Sequence, residues 1–463
     1  MAPQLFARRP TGALFALLLL AACSDALPSG PGAPLLPAPP ADAVAALSCT
    51  AQVSPAVVTC APLVATGGAQ ANIFGGQNVN VRLTASNFAL AAGIYSMDVT
   101  VQNLLPYPLG AADPGTVTGV DVFFAGGPAS ATGSVDVHQP DGEDFFTGSG
   151  QPYFHWPEVL PRNGVSQVKR WQFTVSPTVQ SFQFQVYVKA ELMPLLVFDL
   201  AAGGNRDIYR MAMNGSDLLR LTTDAGDDRN PTANRTTVAY ASFRHGKPEL
   251  YSIPLTGGTE TRLTTNTSSE GDPALSADGL RLAYTTDAAI GVSKVWTASA
   301  NGTGGSRATP TSFASEAEPE AAPAWGPGTN RLALVGTGSG SADVFSLTLG
   351  GFPALLRGGT TAEVDPAWSP DGTRLVYTSN VTGAGDLYML RLSDSQVTRL
   401  TSGATAETYA TWTTNGRLVY LVFLSGGATE LRWMNPDVPG SGGTIPLTGT
   451  PNRPHAVPTG GPG

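Results

Sequence analysis

The stretch DPAWSPDGTRLVY at residues 365–377 decides the fold, because it has the pattern of two short strands joined by a tight turn. In its Pro-Asp-Gly turn, proline fixes φ at the second position, aspartate hydrogen-bonds back to the backbone, and glycine takes the left-handed corner. Residues 386–390 and 397–401 follow as a third and a fourth alternating run. The stretch therefore predicts a sheet of four short antiparallel strands.

Weaker copies of this stretch recur with a period in the forties, the spacing that is typical of propeller blades. Further first strands start at Asn230, Asp272, Ala322 and Tyr409. The repeat region opens near Leu196 with a second strand, and the missing first strand occurs near the C-terminus, at 453–458. We therefore expect a six-bladed β-propeller over 194–459, closed by the C-terminal strand so that no long sheet edge is exposed.

The signature Asp-Pro-Ala-Trp-Ser-Pro-Asp-Gly at 365–372 resembles the repeats of TolB-type β-propellers, and the resemblance covers about 195–458. It implies a binding scaffold of the bacterial cell envelope whose partner is another envelope protein. Trp325, Trp368 and Trp412 share one repeat position, and we expect them to pack between blades.

A different pattern occupies residues 46–193, where short alternating runs such as FQFQVYV at 182–188 are separated by Gly, Pro and Asn. About seven such runs favour an immunoglobulin-like β-sandwich. Only 13% of the chain is charged, whereas it holds 54 Gly and 38 Pro, which favours an all-β, turn-rich protein. His138 and His155 are expected at the solvent or the edge of the core.

The N-terminus has the pattern of a secretory signal, with Arg8 and Arg9 before an apolar run at 13–20 that is too short to span a bilayer. Leu20-Ala21-Ala22-Cys23 resembles the lipobox of bacterial lipoproteins. The resemblance implies that a signal peptide, residues 1–22, is removed and that Cys23 carries the lipid. Ser24 after this cysteine implies the outer membrane, with the protein facing the periplasm or the cell surface. An ordinary signal peptide with a chance cysteine is the alternative.

Residues 23–45 are rich in Pro, Ala and Gly, a composition that predicts an extended tether. After it come Cys49 and Cys60, the two cysteines that remain besides Cys23. In an oxidising compartment such a pair predicts a disulfide, with two free buried thiols as the alternative.

The loops that lead into the first strands of the repeat are acidic. If they meet at one mouth of the channel, their carboxylates would attract a basic peptide or Ca²⁺. His455 belongs to the same candidate site, where it would either contact the ligand or have a structural role. The alternative for the acidic loops is that they only keep the protein surface soluble. The candidate residues are Asp227, Asp228, Glu270, Asp272, Glu320, Glu363, Asp365, Glu407 and His455.

The formal charge of -9 argues against nucleic acid as a partner, since no basic field would gather phosphates. No Gly-x-Ser-x-Gly elbow occurs, and the repeat region contains only His245 and His455, so neither a serine peptidase nor a histidine-rich metal centre is indicated. We therefore expect no enzyme and no cofactor. The alternative is a carbohydrate-active or hydrolytic enzyme that uses two carboxylates of the channel mouth.

Overall fold

The structure, a computed structural model, describes residues 43–62, 77–288, 291–313, 318–328, 330–338, 340–438 and 440–458. The predicted signal peptide, Cys23 and most of the predicted tether lie outside these residues. The described chain is all-β apart from the 3-10 turn Ser425–Gly427. None of its helical segments has the length and apolarity needed to cross a membrane.

Two sheets precede the repeats and share one hydrophobic core. The first strand begins at Ala43, three residues before the boundary at 46 that the sequence predicts. In order across the six-stranded sheet, the strands are Val57–Pro62, Ala43–Gln52, Ser181–Ala190, Val120–Ala129, Gln151–Trp156 and Gly142–Asp144. The four-stranded sheet is Val81–Ala91, Ile94–Asn103, Lys169–Val175 and Val135–His138, and Ala111–Asp113 pairs with Thr116–Val117 in a separate hairpin.

Aromatic side chains fill the core between these two sheets, as the alternating runs predict. Trp171 is 1% exposed and its ring stacks on that of Phe154, with 5.0 Å between ring centres. Cys49 and Cys60 face each other on paired strands and are joined by a disulfide. The region holds more strands than the seven expected, because edge strands such as Gly142–Asp144 are too short and polar to show alternation.

The repeat region forms six four-stranded antiparallel sheets, called repeat sheets I to VI here. Sheet I contains Leu195–Ala202, Asn205–Ala212, Leu219–Arg220 and the C-terminal strand Thr450–Ala456. Sheet II contains Asp228–Ala233, Thr237–His245, Lys247–Pro254 and Thr261–Arg262; sheet III contains Glu270–Leu275, Arg281–Thr286, Lys294–Ser299 and Ser306–Arg307. Sheet IV contains Glu320–Trp325, Arg331–Gly336, Asp343–Thr348 and Ala354–Arg357. Sheet V contains Glu363–Trp368, Arg374–Ser379, Asp386–Arg391 and Val397–Arg399; sheet VI contains Ala406–Trp412, Leu418–Phe423, Thr429–Met434 and Gly443–Thr444.

The two ends of the repeat region meet in sheet I. Thr450–Ala456 pairs antiparallel with Leu195–Ala202, with Ala456 opposite Leu196. The Val457 N–H continues the pairing by donating to the Leu195 carbonyl at 2.8 Å. The strand found by its repeat position at 453–458 thus occupies the edge of the sheet formed by the first strands of the region.

Each inner strand, meaning Thr450–Ala456 and the first strands of sheets II to VI, carries the same β-bulge. The bulges appear as register shifts against the neighbouring strand. Each one contains a non-glycine residue with φ between 38° and 53°. Such values are sterically costly for residues with a Cβ, so their recurrence at one repeat position marks a built feature. The six positions are Asn230, Asp272, Ala322, Asp365, Tyr409 and Arg453.

The segment 107–113, which includes one strand of the separate hairpin, packs against repeat sheets I and VI. Asp113, which is 2% exposed, forms an ion pair with Arg417 at 3.0 Å. The Tyr107 hydroxyl donates to the carbonyl of Pro458 at 3.2 Å, just after the C-terminal strand. The two regions therefore share buried contacts at the strand where the repeat region ends.

Candidate functional site

The candidate site is a cavity of about 620 Å³ into which all six repeat sheets contribute their inner strands. The six positive-φ residues line it, and so do residues further along each inner strand. In sheet V the lining runs from Asp365 to Pro370, along the inner strand and into the turn that follows it. Ala274, Ala324 and Ala367 leave the middle of this inner cavity wide, because their side chains are short.

Arg453 lies on the C-terminal strand of sheet I and contacts positive-φ residues of three other repeat sheets across the inner cavity. Its Nη1 contacts the Asp272 carboxylate of sheet III, and its Nη2 lies 3.7 Å from Oδ1 of Asp365 in sheet V. Its guanidinium also stacks on the ring of Tyr409 in sheet VI, 4.8 Å from the ring centre. The positive charge of Arg453 therefore compensates the negative charges of both carboxylates.

The polar surroundings of this group complete its hydrogen bonding. The Thr408 hydroxyl donates to Oδ2 of Asp365 at 2.6 Å, and the Asn230 amide donates to Oδ1 of Asp272 at 3.2 Å. Burial raises the pKa of Asp365, and the nearby Arg453 only partly offsets this rise. For Arg453, burial works against the charge, but Asp272 and Asp365 outweigh it and raise the pKa.

His455 lies two residues further along the same strand, within the inner cavity. The Ala233 N–H donates to its Nδ1, and its Nε2 faces the Thr232 hydroxyl, both at 3.4 Å. These contacts fit a neutral imidazole that carries its proton on Nε2. Burial lowers the pKa of His455 to about 4, because no carboxylate compensates the loss of solvation.

Six of the nine predicted site residues do not line the inner cavity, and five of these six are carboxylates at one repeat position. Their side chains are each at most 6% exposed and pack among the repeat sheets, in the case of Glu320 against strands of the neighbouring sheet III. The bulge is the physical reason: it adds one residue, so the side chain two positions before the positive-φ residue faces away from the cavity. The five are Asp228, Glu270, Glu320, Glu363 and Glu407.

Glu320 illustrates what these internal carboxylates do. It accepts hydrogen bonds from the Val295 N–H at 3.0 Å and from the Thr309 hydroxyl at 2.8 Å. The Nζ of Lys294, which is fully buried, lies 3.6 Å from it. Glu320 therefore compensates the buried charge of Lys294 and links sheet IV to sheet III, which is a structural role.

The remaining internal carboxylates use hydroxyl and arginine partners. Ser379 donates to Glu363 at 3.0 Å, Thr286 donates to Glu270 at 2.9 Å, and Arg244 lies 3.5 Å from Asp228. Burial raises the pKa of Glu270 and of Asp228. Asp227 also lies away from the inner cavity, where it accepts from the backbone N–H of Arg206 and pairs with Arg229.

The expectation of Ca²⁺ at the acidic loops finds no support in this arrangement. Within the described ranges, no three His, Cys, Asp or Glu side chains come together in a group that would hold a metal ion. At the inner cavity the two carboxylates nearest each other share Arg453, whose guanidinium takes the place that a cation would need.

Sequence reasoning missed the central role of Arg453, together with Asn230 and Tyr409. The signal was present, since all three occupy the repeat position of Asp272 and Asp365. This shared position did not predict the contacts, because the arrangement of the sheets decides which side chain reaches another sheet across the cavity.

The repeated tryptophans connect neighbouring sheets, as their shared position predicts. Nε1 of Trp325 in sheet IV donates to the Ala274 carbonyl of sheet III at 2.9 Å. Nε1 of Trp412 in sheet VI donates to the Ala367 carbonyl of sheet V at 3.2 Å. Each bond joins two inner strands and helps to hold the wall of the inner cavity together.

Comparison with known proteins agrees with this architecture. Residues 305–460 match the family model described as the TolB beta propeller domain. No curated protein matches the chain. Among solved structures, TolB from Acinetobacter baumannii is 16% identical, with 57% of this chain and 67% of that chain covered at a TM-score of 0.50.

Two further structures are similar to parts of the chain. A putative TolB from Agrobacterium tumefaciens is 16% identical over 56% of this chain and 90% of its own, with a TM-score of 0.46. A puromycin-hydrolyzing peptidase from Mycobacterium tuberculosis is 14% identical over 80% of this chain and 54% of its own, with a TM-score of 0.41. Of the three structures, the first alone reaches a TM-score at which the likeness bears on the fold.

The sheets and the inner cavity define an all-β protein with a propeller-type repeat region. Within that class, residues 305–460 match the TolB beta propeller domain, as the signature at 365–372 predicts.

Proposed function

We propose that this protein is a lipid-anchored binding scaffold of the cell envelope, in which the inner cavity takes up a segment of another envelope protein. In this proposal the six repeat sheets are the blades of a closed propeller and the two N-terminal sheets are an immunoglobulin-like sandwich. The observation that carries the binding role is the inner cavity itself. It has a volume of about 620 Å³, and alanines, proline rings and the three repeated tryptophans form much of its wall.

The chemistry of the inner cavity favours binding over catalysis. Asp272 and Asp365 both interact with Arg453, so they do not form a free acid and base pair. Their shared cation also removes the reason to expect a basic peptide at this level. We therefore propose an envelope protein as the partner, recognised along the cavity wall.

Site-directed photocrosslinking tests the binding role. A photoreactive phenylalanine analogue at Ala324 would face the inner cavity, whereas the same residue at Ala354 would lie exposed on the outer strand of the same sheet. In living cells, we expect a discrete adduct from position 324 and none from position 354. If neither position gives an adduct, or if both give the same one, the inner cavity is not the binding site.

The anchor is tested separately through Cys23, which lies outside the described residues. The Cys23→Ser variant is expected to lose incorporation of labelled palmitate and to leave the membrane fraction, because several acyl chains together hold a protein on a bilayer. Cys49→Ser is a poor control because it breaks the disulfide, so the matched control is Ser24→Ala. Unchanged labelling of Cys23→Ser would rule out the lipid anchor.

A further inference from the structure

The junctions between sheets IV and V and between sheets V and VI are two copies of one arrangement. At the second junction, Arg374 stacks on Trp412, with its guanidinium carbon 4.8 Å from the ring centre. Asp437, in the turn after the third strand of sheet VI, then pairs with Arg374 at 2.7 Å. This copy of the arrangement therefore contains an arginine, an aromatic platform and a carboxylate.

The first junction has the same arginine and the same platform but no carboxylate. Arg331 stacks on Trp368, with its guanidinium carbon 4.2 Å from the ring centre. The corresponding turn of sheet V supplies Asp394, but this side chain pairs with Arg391 of its own hairpin at 3.4 Å. Of the carboxylates in the described part of the chain, none forms an ion pair with Arg331. A stacked guanidinium keeps its N–H edges available, and a carboxylate is the group that fits them best.

Trp368 provides a second, independent sign that an acceptor is missing at this junction. Its side chain is 6% exposed, and its Nε1 has no hydrogen-bond acceptor among the described residues. Its repeat equivalents Trp325 and Trp412 both donate to a backbone carbonyl. Trp171 and Trp296 also have an unpaired N–H, but neither lines the inner cavity, whereas Trp368 does. A buried donor without an acceptor is destabilising, and Trp368 has such a donor in the ring that carries Arg331 and lines the inner cavity.

A glycine explains why this tryptophan differs from its equivalents. Gly326 occupies the repeat position held by Ser276 and Ser369 in the neighbouring sheets. A Cβ at Gly326 would lie 3.5 Å from the Trp368 indole, so the ring packs directly against the glycine. The turn that follows has Gly328 where the others have Asp278 and Asp371, which removes the carboxylate nearest in sequence to Arg331.

We propose that this junction, Arg331 on its Trp368 platform, binds a carboxylate of the protein segment that occupies the inner cavity. Arg331 supplies the charged donors and Trp368 orients them. The carboxylate belongs to a glutamate or aspartate side chain or to the C-terminus of that segment. The inference rests on the proposed binding function and names the chemistry that is recognised beside the cavity, where Arg331 lies next to the lining residue Trp368.

The test is a titration of the full chain, labelled with ¹⁵N, in which the indole N–H resonances are followed by NMR. The probes are four hexapeptides: a blocked peptide with a central Glu, its Gln counterpart, an alanine peptide with a free C-terminus and its C-terminal amide. We expect the Trp368 resonance, assigned through Trp368→Phe, to shift with the carboxylate probes. We expect the Gln and amide probes to bind roughly tenfold more weakly, as for the loss of one charged hydrogen bond.

Matched variants decide whether Arg331 is responsible. Arg331→Gln should abolish the preference for carboxylate over amide, whereas Arg374→Gln should leave it unchanged because Asp437 already occupies that guanidinium. The proposal is overturned if the four probes bind alike, if no probe shifts the Trp368 resonance up to about 10 mM, or if Arg331→Gln keeps the preference. Comparison of the Glu peptide with the free C-terminus identifies the source of the carboxylate.

The two proposals fail in different ways. Photocrosslinks from Ala324 without a carboxylate preference would leave the binding function standing and remove the subsite. The absence of crosslinks together with a retained carboxylate preference would mean that the junction binds acidic peptides but that the inner cavity does not hold the envelope partner.

Discussion

Two sets of carboxylates lie only two residues apart along the inner strands, yet they have different roles. The internal set, which includes Glu320 and Glu363, bonds within or between repeat sheets and is almost fully buried. The axial pair, Asp272 and Asp365, faces the inner cavity and is bound by Arg453 from another sheet. The positive-φ bulge separates the two sets, because it turns one side chain away from the cavity and the other toward it.

The comparison teaches that acidic composition at a repeat position does not by itself make an acidic surface. Buried carboxylates must be paired or hydrogen-bonded, and here every internal one has a partner such as threonine, serine or arginine. The field inside the cavity is set instead by the balance among Asp272, Asp365 and Arg453.

The largest effect is expected from removing an internal charge. Glu320→Gln should lower the free energy of unfolding by about 3–5 kcal/mol, because it removes a buried negative charge that lies close to both Lys294 and Arg307. Urea denaturation followed by tryptophan fluorescence measures the change. The exposed Glu143→Gln is the control and should alter stability by less than about 0.5 kcal/mol. Equal effects of the two variants would mean that Glu320 has no internal role.

The axial group, meaning Asp272, Asp365 and the residues bound to them, should contribute less to stability, because its charged side chains are partly exposed. Arg453→Gln removes a charged hydrogen bond to Asp272 and should cost about 1.5–3 kcal/mol. In the same variant the pKa of Asp365 should rise further, since the cation that partly offsets its burial is gone. Denaturation at pH 7 and at pH 5 measures both effects, and the variant should lose less stability at pH 5. A larger loss at the lower pH would contradict the axial pairing.

Removal of a single hydroxyl of the axial group, that of Thr408, should lower stability by a smaller amount. Thr408→Val removes the hydrogen bond to Asp365 while keeping the shape of the side chain, and about 1 kcal/mol should be lost. Thr84→Val on the exposed face of the N-terminal sheets is a suitable control. If both substitutions are neutral, Asp365 does not depend on Thr408.

His455 should have the smallest effect at neutral pH and a growing effect in acid. Its pKa is about 4 in the folded protein against 6.5 for the ordinary side chain, so the unfolded chain binds the proton first. The stability that neutral His455 contributes is complete above about pH 6.5 and is lost as the pH falls toward 4. His455→Gln should therefore become more stable relative to the parent between these values. NMR titration of the four histidines provides the direct check, and protonation of His455 near pH 6.5 would contradict this assignment.

Much of the fold could be predicted from local patterns. The Pro-Asp-Gly turn at 370–372, the alternating runs and the repeat position of 453–458 locate most strands, since each depends on neighbours in sequence. Short edge strands escaped prediction because Gly142–Asp144 has no apolar face. The site was predicted in part: Asp272, Asp365 and His455 line the inner cavity, whereas the internal carboxylates do not.

The amino-acid sequence by itself determined the all-β class, the repeat and the residue types at each repeat position. The tertiary structure decided which of those residues face one another. Arg453 meets Asp272 and Asp365 only because three sheets present the same bulge toward one cavity, and these residues are far apart along the chain. Local pattern fixes the direction of a strand, but the partner of a charged side chain depends on contacts that no neighbouring residue encodes.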